Sequence, residues 1–242
     1  MKRIPNPPKA KYLMGSMRHM GYSFSDAIAD VMDNSVSASC TTIRLIFPSN
    51  AEDIYVGILD DGHGMSKQEL LRAMCYGSQA NEKERSENDL GRFGLGMKSA
   101  SLSQCRKMTV ISKKDGEVSA YRWDYDEIKS QGQRGDWAVL ELNNSEIREQ
   151  YCFDELEALE HGTLVLWEEL DVLYKSSGGR IFEALTKNRN YLADHLPLIY
   201  HRFISEDGLK IFINYLELKA LDPFLVNRSD CSWGTIRQPL TD

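Results

Sequence analysis

The sequence predicts an α/β (α+β) fold. Apolar residues at helical spacing alternate along the chain with β-rich runs, and an Asp-Gly dipeptide joins two of those runs in the manner of a tight hairpin. With 242 residues there is length enough to bury a sizeable core. A composition of 42% hydrophobic and 27% charged residues is that of an ordinary folded chain, which excludes disordered and collagen-like classes.

Taken in order, Pro5 to Lys11 reads as an extended leader. A helix is predicted from near Ser23, with Asp26 completing a variant capping box and Phe24, Ala27, Ile28 and Val31 forming its buried stripe. Ile43 to Phe47 and Ile54 to Asp60 are β-rich and read as strands. Ser66 with Glu69 caps a second helix that carries Leu70, Leu71 and Met74. From Tyr76 to Leu90 the chain turns polar and charged, the mark of a long loop or lid. A glycine-rich turn, Gly91 to Gly96, then opens a third helix to about Gln104. Strands follow at Lys107 to Lys113, Val118 to Trp123 and Trp137 to Leu142, the first two joined by Asp115-Gly116. Ser145 to Glu160 reads as helix and Gly162 to Leu170 as a buried strand. Ser176-Ser177-Gly178-Gly179 is the linker candidate, followed by a helix over Arg180 to about Phe203 and a strand over Leu209 to Asn214. Trp123, Trp137, Trp167 and Trp233 suit core or hairpin packing rather than base stacking.

Charge and cysteine usage narrow the function classes. Lys and Arg number 29 against 36 Asp and Glu, a formal charge of −7. Phosphate neutralisation drives bare nucleic-acid modules, so this sign argues against one. A phosphate ligand stays open, because a few backbone amides, one lysine and a metal make a local positive pocket. The 5 cysteines (Cys40, Cys75, Cys105, Cys152, Cys231) are scattered with no Cys-x-x-Cys pair, which fits a reducing cytoplasm better than a disulfide framework or zinc site. No apolar stretch approaches bilayer length and no apolar run follows Met1-Lys2-Arg3, so neither a membrane partner nor a secretory signal is expected.

Three clusters carry chemistry. On the first helix, Asp30 and Asn34 lie one turn apart and share a face, where a carboxylate can orient a water and an amide oxygen can ligate Mg²⁺. Taken alone, the pair reads as a polar helix face. Asp60-Asp61-Gly62-His63-Gly64-Met65 follows a strand: its glycines permit a sharp turn and close approach of a ligand, Asp60 can accept from an exocyclic amine, and Met65 offers an apolar contact to a flat ring. A plain Asp-Gly turn is the alternative. Gly91-Arg92-Phe93-Gly94-Leu95-Gly96-Met97-Lys98 precedes a helix whose N-terminal amides can cradle phosphates. Walker spacing is absent, and the polar stretch before the glycines rejects a dinucleotide fingerprint. His19, His161, His195 and His201 lack metal-ligand spacing, and His63 reads as a turn residue.

In this order, with Gly162-Thr163 heading a later strand, the clusters resemble the GHKL ATPase superfamily: gyrase's ATPase subunit, the heat-shock chaperone, sensor histidine kinases and MutL. The wording Ala-Ile-Ala-Asp-x-x-Asp-Asn-Ser and Gly-Arg-Phe-Gly-Leu-Gly-Met-Lys-Ser-Ala looks most like the MORC branch and its bacterial relatives. The resemblance implies a two-layer sandwich of the Bergerat type, helices on one face of a mixed, mostly antiparallel sheet. It also implies ATP and Mg²⁺ as ligands, a nucleotide-dependent homodimer, and DNA as a partner through the dimer or regions beyond this chain, in the cytoplasm or a nucleus. Asn34 would be the Mg²⁺ ligand, Asp60 the adenine N6 acceptor assisted by Thr163, and Gly62, Gly64 and Met65 the adenine turn. Gly91, Gly94, Leu95, Gly96 and Met97 would form the phosphate-facing hinge of a lid near residues 76–96, with Lys98 a phosphate contact. Asp30 falls where hydrolysing members place glutamate, and Ser37 where relatives often carry aspartate; the shorter Asp30 predicts slow hydrolysis. Residues 1–175 would form the ATP-binding domain and 176–242 the incomplete start of a transducer-like one.

Overall fold

The computed structural model describes residues 10–19, 21–75, 96–130 and 138–223. Eight strands form one sheet: β1 (Thr42–Ile46), β2 (Tyr55–Asp60), β3 (Lys107–Lys114), β4 (Glu117–Asp124), β5 (Leu140–Glu141), β6 (Gly162–Glu168), β7 (Lys210–Ile213) and β8 (Leu216–Glu217). Their spatial order is β5-β4-β3-β6-β2-β1-β7-β8. All neighbours pair antiparallel except β1 with β7, so the sheet is mixed and mostly antiparallel, as the resemblance implies.

Side chains alternate across a strand, and here the alternation sorts them into two apolar clusters. Val56, Ile58, Met108, Val110, Tyr121, Trp123, Val165 and Trp167 join the larger one. Their in-between neighbours Leu59, Ile111, Ala120 and Leu164 join the smaller. The main helical layer covers the first face: α2 (Phe24–Ser37), α3 (Lys67–Met74), α4 (Gly96–Gln104) and α9 (Ile181–Ile199). Phe24, Ala27, Ile28 and Val31 of α2 are buried as their spacing requires, and the Phe24 ring meets Trp167 edge-on at 6.0 Å. Two short helices, α6 (Asn144–Arg148) and α7 (Phe153–Glu157), cover the opposite face with Ile147, Phe153 and Leu156.

The caps act as read. Ser23 accepts from the Asp26 amide, while the Asp26 carboxylate takes the Ser23 hydroxyl rather than its backbone N–H. Ser66 and Glu69 form a complete capping box. Other elements differ from expectation. Ala10–Met17 is a helix, α1, where the leader was expected to stay extended through Lys11. The helix expected over 145–160 is interrupted over residues 149–152, where the left-handed backbone of Cys152 (φ 61) re-aims the chain so that Phe153 and Leu156 reach the sheet. The helix expected over 180–203 divides at Tyr200 into α9 and α10 (His201–Ser205). Short helices α5 (Tyr125–Ser130) and α8 (Asp171–Ser176) were not foreseen. The linker candidate is the C-terminal cap of α8: Gly178 and Gly179 have φ of 62 and 88, and the Gly179 N–H donates to the Tyr174 carbonyl at 3.0 Å. Beyond it, Leu185, Leu192, Leu196, Tyr200, Ile211 and Ile213 enter the same cluster as Ile28 and Val31. β7 and β8 likewise extend the one sheet past residue 175. Trp123 and Trp167 are core residues, whereas Trp137 and Trp233 lie outside the described residues.

Candidate functional site

The site begins where β2 ends. Asp60, Thr163 and Ser112 stand side by side on β2, β6 and β3, all on the face under the main helical layer, because the register sets Asp60 against Thr163 and Thr163 against Ser112. Each is buried, at 5%, 8% and 0% exposure. The Ser35 hydroxyl of α2 donates to Asp60 Oδ2 at 2.8 Å and the Gly62 N–H to Oδ1 at 2.9 Å. Burial pushes the Asp60 carboxyl above its ordinary range, against the pull of these hydrogen bonds. An ionised carboxylate has about four lone-pair sites, so two donors leave acceptor capacity for a ligand amine.

The turn after Asp60 is shaped by close approach. A Cβ on Gly62 would lie 2.8 Å from the Ala38 Cβ, and Gly64, at φ +63, would place one 2.0 Å from the Lys113 carbonyl oxygen. Only glycine fits both positions. The returning chain is fixed by the Met65 N–H, which donates to Ser112 Oγ at 2.8 Å. That oxygen also lies 3.1 Å from the Gly162 carbonyl and 2.9 Å from Thr163 Oγ1. His161 Nδ1 closes the turn against the Gly62 carbonyl at 2.6 Å, and His63 Nδ1 meets the Gly64 carbonyl, so both imidazoles are structural. Met65 is half-buried against the main core. Asp61 points away and receives the Thr41 and Thr42 N–H groups at 2.7 and 2.8 Å; burial alone would raise its pKa, but these bonds leave it lowered.

The second half lies on the outer face of α2. Asn34 Nδ2 donates to the Asp30 carbonyl at 2.6 Å, which ties the nitrogen to the helix and leaves Oδ1 as the outward, hard oxygen donor. Asp30 lies against the Tyr22 phenol, whose pKa rises through burial and then through that carboxylate. A Cβ on Gly96, at the start of α4, would lie 3.9 Å from Asp30 Oδ2, so the start of α4 lies beside the carboxylate. Met97 is half-buried. Lys98 turns inward: its Nζ donates to the Ala73 and Cys75 carbonyls at 2.8 and 2.6 Å, at the C-terminal end of α3. Burial lowers its pKa to about 8. Ser37 Oγ bonds back to the Asp33 carbonyl at 2.9 Å. Gly91, Gly94 and Leu95 fall outside the described residues.

The fold thus brings Asp60, Gly62, Gly64, Met65 and Thr163 into one cradle, with Asp30 and Asn34 one turn apart on α2 and Gly96, at the start of α4, beside Asp30. Ser35 and Ser112 were not singled out from the sequence. Their signal was a polar residue where the pattern asks for an apolar one: Ser112 continues the core-facing row of Met108 and Val110, and Ser35 that of Val31.

The family profile described as "Histidine kinase-, DNA gyrase B-, and HSP90-like ATPase" matches residues 22–163, more than half of the chain and all of the site residues just described. The chain belongs to this ATPase family. Among curated proteins it is similar to the ATPase morc-1 of Caenorhabditis elegans, 31% identical over 39% of this chain and 11% of that protein. A mouse relative, the ATPase MORC2B, is 30% identical over 38% of this chain and 9% of its own length. The chaperone protein HtpG of Halalkalibacterium halodurans is 31% identical over 45% and 19%. The chain therefore corresponds to a small part of these relatives. Its GHKL fold and residues suit the family's ligands: Asp60 is a buried acceptor in a glycine-lined turn, and Asn34 offers one oxygen to a cation that takes its remaining ligands from phosphate and water, as Mg²⁺ does. No cluster of three or more His, Cys, Asp or Glu suited to a metal occurs among the described residues. No helix among them is long and apolar enough to cross a membrane.

Proposed function

We propose that this chain is a Mg²⁺-dependent ATP-binding domain that hydrolyses ATP slowly, coupled to closure of the 76–96 segment and N-terminal dimerisation in a MORC-like, DNA-associated ATPase. The observation that carries the reading is the Ser35–Asp60 bond, which locks the helix bearing Asp30 and Asn34 against the buried acceptor. One rigid unit thereby offers a base site and a phosphate site a short distance apart.

Asp60 accepts from the adenine N6 amine, Thr163 assists it through the sheet, and Met65 packs on the ring. The phosphates then run toward Asp30, Asn34 and the glycine segment Gly91–Gly96, with Leu95 and Met97 alongside. Asn34 Oδ1 would hold Mg²⁺ together with phosphate oxygens, and the ion would supply neutralisation of the charge on the phosphates. Asp30 orients the attacking water and takes up its proton. Lys98 reaches a phosphate only by releasing the Ala73 and Cys75 carbonyls, so its contribution is tied to a rearrangement at the end of α3. DNA is reached through the dimer or through regions beyond this chain, since the acidic balance gives the open surface little grip on phosphate.

Single-turnover hydrolysis of Mg²⁺-ATP by excess protein tests this, with Asn34→Ala as control. Turnover in the wild type that vanishes in the control supports the reading, and absence of ATP binding overturns it. The short Asp30 carboxylate favours a second reading, an ATP-gated clamp that closes without turnover. A misplacement of ~1 Å costs about 100-fold in rate. Asp30→Glu is therefore expected to accelerate turnover by up to that factor, and tight binding with no turnover in either protein selects the clamp. Dimerisation is checked by light scattering with a non-hydrolysable ATP analogue, where a persistent monomer removes that part of the proposal.

A further inference from the structure

Tyr200 lies beyond the residues matched by the family profile, between α9 and α10, yet it is 1% exposed and reaches into α2. Its hydroxyl lies 2.7 Å from Asp33 Oδ1 and 3.1 Å from the Ala29 carbonyl oxygen. These two acceptors are one helical turn apart and bracket Asp30, and Asn34 follows immediately. α2 thus has two polar anchors: Ser35 to Asp60 on the sheet, and Asp33 to Tyr200 on the C-terminal helices. Rotation or sliding of α2 would re-aim Asp30 and Asn34 together, and the second anchor is the one nearer to them.

We propose that Tyr200 is a positioning residue for the Asp30–Asn34 pair, through which the C-terminal helices set the geometry of the phosphate half of the site. The inference rests on the ATP-binding reading above. A phenol has one proton for two acceptors. The hydroxyl is shared between the Asp33 carboxylate, 2.7 Å away, and the Ala29 carbonyl, 3.1 Å away.

Tyr200→Phe removes the hydroxyl and keeps the ring in the core. The measurements are ATP affinity without metal, the Mg²⁺ concentration giving half-maximal nucleotide binding and turnover, and the thermal midpoint, all on the full chain. Outer partners of a metal ligand are worth about 10-fold or more. Tyr200→Phe is accordingly expected to raise the Mg²⁺ half-saturation about tenfold, with metal-free ATP affinity within twofold of wild type. Asp33→Asn, which keeps a partner for the phenol, preserves the wild-type Mg²⁺ dependence, whereas Asp33→Leu reproduces the Tyr200→Phe shift. If Tyr200→Phe fails to fold, the Asp33→Asn and Asp33→Leu contrast reads the same link. An unchanged Mg²⁺ half-saturation in Tyr200→Phe, or one that moves only in step with a parallel loss of metal-free affinity, overturns the role of Tyr200 while leaving ATP binding intact. A wild type that binds no nucleotide overturns both readings at once.

Discussion

At the end of the site proposed to take the base, Asp60, Thr163 and Ser112 sit on three neighbouring strands with their oxygens already engaged by Ser35, Gly62, Met65 and Gly162. At the phosphate end, Asn34 stands exposed on α2 and Asp30 only partly buried, and Lys98 is turned onto backbone carbonyls. The first is prefolded and holds its donors and acceptors in place before any ligand arrives, so little reorganisation opposes binding. The second is a surface whose geometry depends on what packs behind α2 and on what a metal draws together. On the proposed reading, base recognition is therefore built as part of the core, and phosphate chemistry is left adjustable.

Four experiments sharpen or break that contrast. The largest effect is expected from Gly64→Ala. A positive φ costs a non-glycine residue about 1–3 kcal/mol, and here the new Cβ also collides with the Lys113 carbonyl. Loss of at least that stability, measured by denaturant unfolding, is expected together with loss of ATP binding; a stable variant that binds ATP would show the base end to be pliable. Asp60→Asn comes next. Losing a charged acceptor is worth about 1.5–3 kcal/mol, or roughly 10–100-fold in ATP affinity by titration calorimetry. Its stability should move the other way. Asp60 has a raised folded-state pKa, so the stability linked to its proton is present below the ordinary carboxylate range and lost as pH rises through the folded value. The thermal midpoint of Asp60→Asn relative to wild type is thus expected to improve from pH 4 to pH 8, and a flat difference would mean the carboxyl is better solvated than its burial implies.

Asn34→Ala probes the other end. Metal-free ATP affinity should be unchanged, while the gain on adding Mg²⁺ falls by about 10-fold or more. A loss already present without metal would join the two ends into one unit. Ser112→Ala is the mildest: it strips the Met65 N–H of its partner, for about 1 kcal/mol, or roughly fivefold in affinity. Because Ser112 meets the turn rather than the phosphates, ATP and adenosine should weaken equally. A variant that weakens only ATP would contradict the division.

Much of this was legible where the signal was local. The stripe of α2, the Ser23 and Ser66 caps, the Asp-Gly hairpin and Asp60 at a strand end before two glycines all depend on residues within a few positions of one another. Ser112 escaped because its partners, Met65 and Thr163, lie 47 and 51 residues away. Tyr200 escaped for the same reason, 167 residues from Asp33. Cys152 breaks a helix that propensity alone would continue, because burying Phe153 and Leu156 outweighs a left-handed residue. Lys98 shows a different limit. Its place after a glycine turn was plain, but nothing local says that its ammonium would choose the carbonyls of Ala73 and Cys75.

The parallel strand β7 has a practical bearing on how oligomers of this protein are read. It covers the outer side of β1, pairing Thr42 with Lys210 through Leu45 with Ile213. A fragment cut at the glycines after α8 would bare that row of amides and carbonyls, with Ile43 and Leu45 beneath it, and strip Leu192, Leu196 and Tyr200 from the core. An unpaired strand of that kind is a template for a second copy. Such a fragment would self-associate with or without nucleotide, and the resulting particles would report the position of the cut rather than a response to ATP.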